Sequence, residues 1–197
     1  MAHDKETFAF YSENADEYAV RRERISVTLP KFSAQLPSGA RVLELGCGSG
    51  MESEYLVEQG FDVVPTEGNP DLAKHAAGRL GSIVRVMRFD ELDETSEFAG
   101  VWANMCLLHA PWEELDAIIS KIFDAMKPGG LLMASFKDGA GAQRDDLGRY
   151  YNLPSNQSLT EKFAGAADWS SLEVKNTTGA IGFDDKPYDV LWCTARK

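Results

Sequence analysis

Apolar runs alternate with helical patterns along most of this chain. Five runs rich in Val, Leu, Ile and aromatic residues predict β-strands over residues 40–45, 61–67, 82–89, 99–105 and 130–137. Helical patterns between them are typical of βαβ units, which predict a largely parallel sheet. Two further strand candidates, 171–179 and 188–196, have no helix between them and are therefore predicted to pair antiparallel.

The helical segments carry their own start and stop signals. Residues 51–60 close on a glycine, and residues 69–81 begin with Asn69 as N-cap and Pro70 at the first helical position. The strongest pattern, 111–130, repeats apolar residues at helical spacing and predicts a helix packed on the core. A further helix is expected over 158–167. The residues 138–156, rich in Gly, Tyr and charge, predict a long functional loop, and residues 1–38 a separate N-terminal segment.

Length and composition narrow the class of protein. A chain of 197 residues predicts one domain, and no apolar run reaches the ~18 residues of a membrane span. The N-terminus lacks the apolar run of a secretory signal, so the expected location is cytoplasmic. A net charge of −11 opposes binding to nucleic acid, which needs clustered Lys and Arg. Cys47, Cys106 and Cys193 lack metal-ligand spacing, so we expect neither a metal site nor a disulfide framework.

The stretch VLELGCGSGMESEYLVEQG, residues 42–60, is the main candidate for chemistry. Gly46, Gly48 and Gly50 follow a predicted strand and open a predicted helix. Glycine allows close approach of the backbone to a ligand, and a helix N-terminus offers unpaired N–H groups. Glu67 ends the next strand, where a carboxylate accepts hydrogen bonds from the two hydroxyls of a bound ribose. A dinucleotide and an adenosyl ligand both fit these features.

Two residues favour the adenosyl ligand. The dinucleotide fingerprint places its third glycine at position 51, where this chain has Met51. Glu44 lies two residues before the first glycine, where a carboxylate repels a pyrophosphate and suits an ammonium group. S-adenosylmethionine carries an ammonium and a sulfonium, so it is the predicted cofactor.

The combined motifs resemble class I S-adenosylmethionine-dependent methyltransferases. Glu44-x-Gly46-x-Gly48-x-Gly50 is similar to their first motif, and Glu67, RFDEL (88–92), LLHAP (107–111) and MKPGGLLMASF (126–136) follow in the family's order. The resemblance implies a Rossmann-like α/β fold with a seven-stranded, mostly parallel sheet, helices on both faces and a C-terminal antiparallel hairpin. Residues 135–155 look like a bacterial small-molecule branch, akin to tellurite-resistance-type methyltransferases.

The resemblance also implies the cofactor-binding residues. They are Glu44, Gly46, Cys47, Gly48, Glu67, Gly68, Phe89, Asp90, Glu91, Asn104 and Met105. Gly46 and Gly48 would face the methionine part, Glu44 would help to hold its amino group, and Glu67 would bind the ribose. Residues 89–91 would flank the adenine, and residues 104 and 105 would line the methionyl side. Where family members often have Asp-x-Ser, this chain has Glu67-Gly68-Asn69. For Asp90 a solvated acidic turn is an equal alternative.

Methyl transfer from a sulfonium needs alignment and exclusion of water rather than one universal nucleophile. His109 is the candidate base, with packing against loop or cofactor as the alternative. The candidate acceptor residues are Tyr11, Lys137, Arg144, Arg149 and Tyr150. The basic ones could bind an anionic acceptor or pair with nearby aspartates, and Tyr11 and Tyr18 could close over the cofactor or pack as ordinary helix residues.

The sequence thus predicts a methyltransferase acting on a small molecule, as a monomer or homodimer. Two other classes remain open: a protein that binds S-adenosylmethionine without transfer, as a sensor or partner subunit, and a nicotinamide-dependent oxidoreductase. Met51 and Glu44 disfavour the second.

Overall fold

A computed structural model describes residues 4–21, 24–181 and 187–197. Residues 1–3 and 22–23 of the predicted N-terminal segment lie outside these ranges. The strands are β1 (Arg41–Leu45), β2 (Asp62–Glu67), β3 (Arg85–Val86), β4 (Phe98–Ala103), β5 (Met126–Lys137), β6 (Gly141–Arg144), β7 (Tyr150–Leu153), β8 (Ser171–Ile181) and β9 (Pro187–Arg196). The helices are α1 (Lys5–Glu13), α2 (Ala15–Arg21), α3 (Leu29–Ser33), α4 (Met51–Glu58), α5 (Pro70–Leu80), α6 (Leu115–Ala125) and α7 (Asn156–Ala166).

The main sheet has seven strands in the order β3-β2-β1-β4-β5-β9-β8. Strands β1 to β5 run parallel, whereas β9 pairs antiparallel with both β5 and β8. This arrangement confirms the predicted fold class. The strand order reverses between β1 and β4, and the crevice beyond the carboxyl ends of these strands is where open α/β sheets bind ligands.

Side chains alternate between the two faces of the central strands. Val42 and Trp102 pack with α3 and α4 on one face, while Leu43 and Val101 pack with α6 and α7 on the other. The strands therefore read as continuous apolar runs, as expected for a sheet covered by helices on both sides. The predicted stripe of α6 is largely buried, but the helix ends at Ala125 and Met126 already belongs to β5.

Two segments differ from the sequence prediction. The strand predicted over 82–89 contracts to Arg85–Val86, because the Glu91 carboxylate accepts the Arg88 backbone N–H and closes a 3₁₀ turn directly after it. The loop predicted over 138–156 contains the β6–β7 hairpin. Its turn is closed by Asp145, whose carboxylate accepts the backbone N–H groups of Leu147 and Arg149.

Candidate functional site

The glycine loop follows β1 and leads into α4. Gly46, Gly48 and Gly50 all have positive φ, at 63°, 57° and 80°. A Cβ at Gly46 would lie 2.5 Å from the Cβ of Cys106, and one at Gly48 would lie 3.3 Å from the ring of Tyr18. The loop is therefore tightly enclosed, and glycine meets both the steric and the backbone requirement at position 46.

Glu67 is the last residue of β2, and its carboxylate lies against the glycine loop. One oxygen accepts the backbone N–H of Gly48 at 2.8 Å, and the other accepts that of Asn69 at 2.9 Å. The side chain is buried. Burial raises the pKa of the Glu67 carboxyl, although the N–H groups of Asn69, Gly48 and Gly68 oppose the shift. A buried carboxylate with lone pairs beyond these two bonds is suited to accept further hydroxyl donors.

A cavity of about 110 Å³ lies between the glycine loop, Glu67 and the N-terminal helices. The structure brings several predicted cofactor residues to its wall: Gly46, Gly48, Glu67, Gly68, Phe89 and Met105. Tyr11, Tyr18 and His109 line it as well. Residues from the ends of β1, β2 and β4 therefore converge with the N-terminal segment on one cavity.

Other predicted cofactor residues do not line this cavity. Glu44 is buried behind the loop, where its carboxylate accepts a hydrogen bond from the Ser53 hydroxyl. Cys47 packs with α5 on the far side of the loop. Asp90 and Glu91 form ion pairs with Arg88 at 3.2 and 2.8 Å. For Asp90, this arrangement is closer to the alternative of an acidic turn than to a residue of the cavity wall.

Asn104 also faces away from the cavity. Its side-chain amide donates to the Glu52 carboxylate at 2.9 and 3.1 Å, and its oxygen accepts the Ser135 hydroxyl at 2.7 Å. The next residue, Met105, reaches the cavity with an unusual backbone: its φ is 54°, in the left-handed region. Such a conformation is uncommon outside glycine.

Helix α1 covers the cavity and is attached on two sides. Asp4 pairs with Arg144 at 2.7 Å, and the Thr7 hydroxyl accepts the Tyr150 backbone N–H at 2.7 Å, so one side contacts the β6–β7 hairpin. On the other side, the Asn69 amide donates to the Ser12 hydroxyl at 2.9 Å. The Arg144 guanidinium holds the pKa of the Asp4 carboxyl well below its usual range. Helix α1 therefore forms a cover over the cavity.

His109 follows β4 and contacts two elements of this cover. Its Nδ1 lies 2.7 Å from the backbone oxygen of Tyr150, and its Nε2 lies 3.0 Å from the Tyr11 hydroxyl. A carbonyl oxygen only accepts, so Nδ1 carries the proton and Nε2 accepts the Tyr11 O–H. Burial lowers the pKa of His109 to about 4, which keeps the ring neutral at pH 7. The result is an unprotonated nitrogen at the cavity wall.

The basic residues predicted to bind an acceptor are engaged within the protein. Arg144 pairs with Asp4, and Arg149 is only 2% exposed, with its guanidinium 2.7 Å from the Asp145 carboxylate. The Lys137 Nζ lies 4.3 Å from the ring centre of Tyr151. These contacts are the local alternative that the sequence left open, so the structure gives the anionic-acceptor hypothesis no direct support.

Tyr150 and Tyr151 take different places. The Tyr150 side chain turns away and donates to Asn152 at 2.8 Å, so this residue meets the site through its backbone. The ring of Tyr151 lies 4.7 Å from that of His109 and also borders a second, larger cavity of about 980 Å³. Lys137 and Tyr188 line that cavity too. Tyr151 therefore stands between the two cavities.

Several residues of the site escaped the sequence analysis. Thr7 and Cys106 line the cavity, and Asn69, identified only as a helix cap, both lines it and holds α1. Thr7 and Cys106 belong to no motif, because their positions depend on how the cover and the glycine loop pack. The available signal for Asn69 was its position as a polar helix cap two residues after Glu67.

The described residues also bear on metals, disulfides and membranes. Within residues 4–21, 24–181 and 187–197, no group of three His, Cys, Asp or Glu side chains is arranged to hold a metal ion. Cys47, Cys106 and Cys193 are buried free thiols. In the same ranges, no helix is long and apolar enough to cross a membrane.

Comparison with known proteins establishes the family. A family profile described as a methyltransferase domain matches residues 18–171, which is most of the chain. The chain therefore belongs to the methyltransferase-domain family. This result agrees with the class I resemblance seen in the sequence.

Individual relatives match over part or all of the chain. A ubiquinone biosynthesis O-methyltransferase of Xanthomonas axonopodis pv. citri is 36% identical over 119 residues, which are 55% of this chain and 48% of that protein. The chain thus spans about half the length of the curated relatives it matches.

Solved structures share the fold. One is the 1,6-didemethyltoxoflavin-N1-methyltransferase of Burkholderia thailandensis, solved with bound 1,6-didemethyltoxoflavin and S-adenosylhomocysteine. Its TM-score is 0.72 at 23% identity, and the match covers 100% of this chain and 91% of the Burkholderia chain. A TehB-like methyltransferase of Corynebacterium glutamicum has a TM-score of 0.63 at 19% identity, over 96% of this chain and 97% of its own. At these identities the likeness concerns the fold alone.

Proposed function

We propose that this protein transfers a methyl group from S-adenosylmethionine to a small-molecule acceptor and leaves S-adenosylhomocysteine. The observation that carries the proposal is the Glu67 carboxylate, held by the Gly48 and Asn69 N–H groups at the wall of a cavity that the glycine loop and two tyrosines enclose. The matched relatives and folds are methyltransferases, which supports the same activity.

The residues at the cavity fit this cofactor. Glu67 accepts the ribose hydroxyls, and the absence of side chains at Gly46 and Gly48 lets the methionine part approach the backbone closely. Phe89 offers an aromatic wall to the adenine, while Tyr18 lies over the loop. Glu44 acts from behind the loop, through its negative charge, on the ammonium group. The bound cofactor supplies an electrophilic methyl, so the protein has mainly to align the acceptor and exclude water.

Tyr11 and His109 handle the proton in this proposal. An acceptor hydroxyl or amine becomes strongly acidic once it has taken the methyl, so even a weak base accepts its proton. His109 is such a base, because its Nε2 is unprotonated and its pKa is lowered to about 4 by burial. Burial raises the pKa of the Tyr11 phenol, so the phenol stays protonated and its O–H donates a hydrogen bond to Nε2. The acceptor either displaces the Tyr11 hydroxyl or passes its proton through it.

The acceptor approaches from the side of the β6–β7 hairpin in this proposal. The larger cavity lies there, and Tyr151 separates it from His109. The curated relatives are named as O-methyltransferases, and the Burkholderia enzyme as an N1-methyltransferase, so oxygen and nitrogen acceptors are both in the range to be tested. A cytoplasmic location and a monomeric or homodimeric state complete the proposal.

Thermal unfolding with added ligands tests the cofactor assignment. S-adenosylmethionine, S-adenosylhomocysteine and NADH are each added in large excess to the purified protein. A ligand at about 100 times its dissociation constant stabilises by about 2.7 kcal/mol, which raises the Tm by roughly 5–10 °C at this size. We expect a rise with the two adenosyl ligands only; a rise with NADH alone contradicts the proposal and favours an oxidoreductase.

A methyl-transfer screen tests the reaction itself. Formation of S-adenosylhomocysteine is followed with a panel of phenols, catechols and heterocyclic amines as acceptors. We expect acceptor-dependent turnover in the wild type and its loss in Glu67→Gln. Glu91→Gln is the matched control, because Glu91 does not line the cavity and its carboxylate pairs with Arg88. Tight binding of S-adenosylmethionine without turnover for any acceptor favours the non-catalytic sensor or partner subunit.

A further inference from the structure

Met105 is the one strained residue at the wall of the cavity, among the residues that the structure describes. Its φ of 54° places a long side chain in the left-handed region, which side chains with a Cβ rarely adopt. Strained backbone persists only where the surroundings hold it, and it is concentrated at functional sites. The neighbours that hold Met105 therefore bear on the shape of the cavity.

A chain of buried hydrogen bonds leads from Met105 to a carboxylate. The Met105 backbone N–H donates to the Ser135 hydroxyl oxygen at 2.8 Å, and that hydroxyl donates to the Asn104 side-chain oxygen at 2.7 Å. The Asn104 amide in turn donates to the Glu52 carboxylate at 2.9 and 3.1 Å. Ser135, Asn104 and Glu52 are all buried, so the bonds between their side chains are shielded from water, while the bond from the half-buried Met105 is partly shielded.

The carboxylate fixes the direction of every bond in this chain. An ionised carboxylate only accepts hydrogen bonds, so Asn104 must turn its NH₂ group towards Glu52 and its oxygen towards Ser135. Ser135 must then use its single proton on that oxygen, which leaves a lone pair for the Met105 N–H. A neutral amide at position 52 would allow Asn104 to face either way and would remove this constraint.

The same carboxylate reaches two other elements. It accepts the Trp102 indole N–H at 2.8 Å and the Ser26 backbone N–H at 2.9 Å. Ser26 lies where the N-terminal cover returns to the sheet, between α2 and α3. Glu52 thus joins the base of the cover, the end of β4 and the strained cavity wall.

We propose that Glu52, Asn104 and Ser135 are positioning residues that hold Met105 in its left-handed conformation and thereby set the shape of the cofactor cavity. None of the three lines the cavity, so they act through Met105. The inference rests on the proposed function, in that S-adenosylmethionine and its product are taken as the occupants of the cavity.

The first test needs no ligand. Hydrogen exchange at the Met105 amide is measured by NMR in the wild type, Ser135→Ala and Ser33→Ala. Ser33 is the matched control, since its buried hydroxyl donates to the Pro30 carbonyl in α3, away from the cavity. We expect exchange at Met105 to accelerate at least about tenfold in Ser135→Ala alone, the scale of one lost buried hydrogen bond. Unchanged exchange at Met105 overturns the proposal.

The second test is a double-mutant cycle on product affinity. The Kd for S-adenosylhomocysteine is measured by calorimetry for Ser135→Ala, Met105→Gly and the double variant. Glycine adopts positive φ without support from its neighbours. Ser135→Ala should therefore raise the Kd about tenfold when residue 105 is methionine, and less than about twofold in the Met105→Gly background. An equal loss in both backgrounds, or the same loss in Ser33→Ala, means that Ser135 does not act through Met105.

Further variants keep the test decisive. Glu52→Gln is expected to accelerate Met105 exchange as Ser135→Ala does, because it releases the orientation of Asn104; exchange at the wild-type rate contradicts the role of the carboxylate. If Ser135→Ala does not fold, Ser135→Cys keeps the size of the side chain and weakens the bond. If the wild type binds no S-adenosylhomocysteine, the proposed function fails, while the exchange measurements still decide this inference.

Discussion

Glu67→Gln is the sharpest single perturbation of the proposed cofactor site. The amide has the size of the carboxylate but only one accepting oxygen, whereas Glu67 accepts two backbone N–H groups, from Gly48 and Asn69. In the variant, either one of these N–H groups or a ribose hydroxyl faces an NH₂ group. Hydrogen bonds to charged groups contribute about 1.5–3 kcal/mol each, and about 1.4 kcal/mol corresponds to a factor of ten. We therefore expect the Kd for S-adenosylhomocysteine to rise about 10- to 100-fold.

The stability of the ligand-free protein should change little in the same variant. Because burial raises the pKa of Glu67 above its ordinary value, the native carboxyl keeps its proton to a higher pH than the unfolded one, and stability is lost as the pH rises through the folded pKa. Glutamine carries no charge and avoids this loss at pH 7, but it leaves one backbone N–H poorly paired. The two effects oppose each other, so the Tm without ligand should stay within a few degrees of the wild type.

Calorimetric titration and thermal unfolding together separate the two effects. Titration with S-adenosylhomocysteine at pH 7.5 gives the affinity, and unfolding without ligand reports the fold. Glu91→Gln serves as control, since it removes a carboxylate near the cavity that pairs with Arg88 instead of lining the wall. Wild-type affinity in Glu67→Gln, or an equal loss in both variants, would refute the assignment of Glu67 to the cofactor.

Three further predictions concern the proton pair and the glycine loop. His109→Ala should lower turnover about 100-fold, and Tyr11→Phe about tenfold, with the Kd for S-adenosylhomocysteine within a factor of three; loss of binding instead assigns the pair to packing. Between about pH 6.5 and 4, His109 binds a proton in the unfolded chain but stays neutral in the native state. The free energy of unfolding therefore falls as the pH drops through this range, by at most about 3 kcal/mol for this half-buried ring. Denaturant unfolding of His109→Gln should lack this component, and an unchanged pH profile contradicts it. Gly46→Ala should cost about 2–4 kcal/mol in stability, because its Cβ meets the Cys106 side chain at 2.5 Å in a left-handed backbone; a wild-type midpoint in urea rules out that clash.

The sequence predicted the sheet well because its signals are local. Apolar runs, the Asn69 cap and the terminal antiparallel pair each depend on residues that are close in the chain, and all appear in the structure. The length of edge strand β3 was overestimated: Ile83 is exposed and lies outside the strand, and Val86, also exposed, pairs with β2 only. Periodicity alone does not show that a side chain such as Ile83 faces solvent.

The site was predictable only where a motif fixes the backbone. Gly46, Gly48 and Glu67 lie at the cavity because strand ends and a glycine loop place them there. Asn104 was expected beside them, yet its side chain turns to Glu52, because a buried carboxylate from α4 competes for its amide. The sequence offered Asp138, Asp145 and Asp146 as partners of the basic residues in this loop, and the hairpin turn places Asp145 beside Arg149.

Helix α1 has a consequence for the timing of turnover. It closes a cavity of about 110 Å³, whereas clefts that hold ligands of comparable size measure about 300–1,000 Å³. In the proposed function we therefore expect α1 to lift when S-adenosylhomocysteine is exchanged for fresh cofactor, which would break the Asp4–Arg144 pair and the Tyr11–His109 bond. Movements of this kind take microseconds to milliseconds and often limit kcat. Where the lifting of α1 limits kcat, the residence time of the product beneath α1 sets the pace of the cycle, and a more reactive acceptor gains little speed.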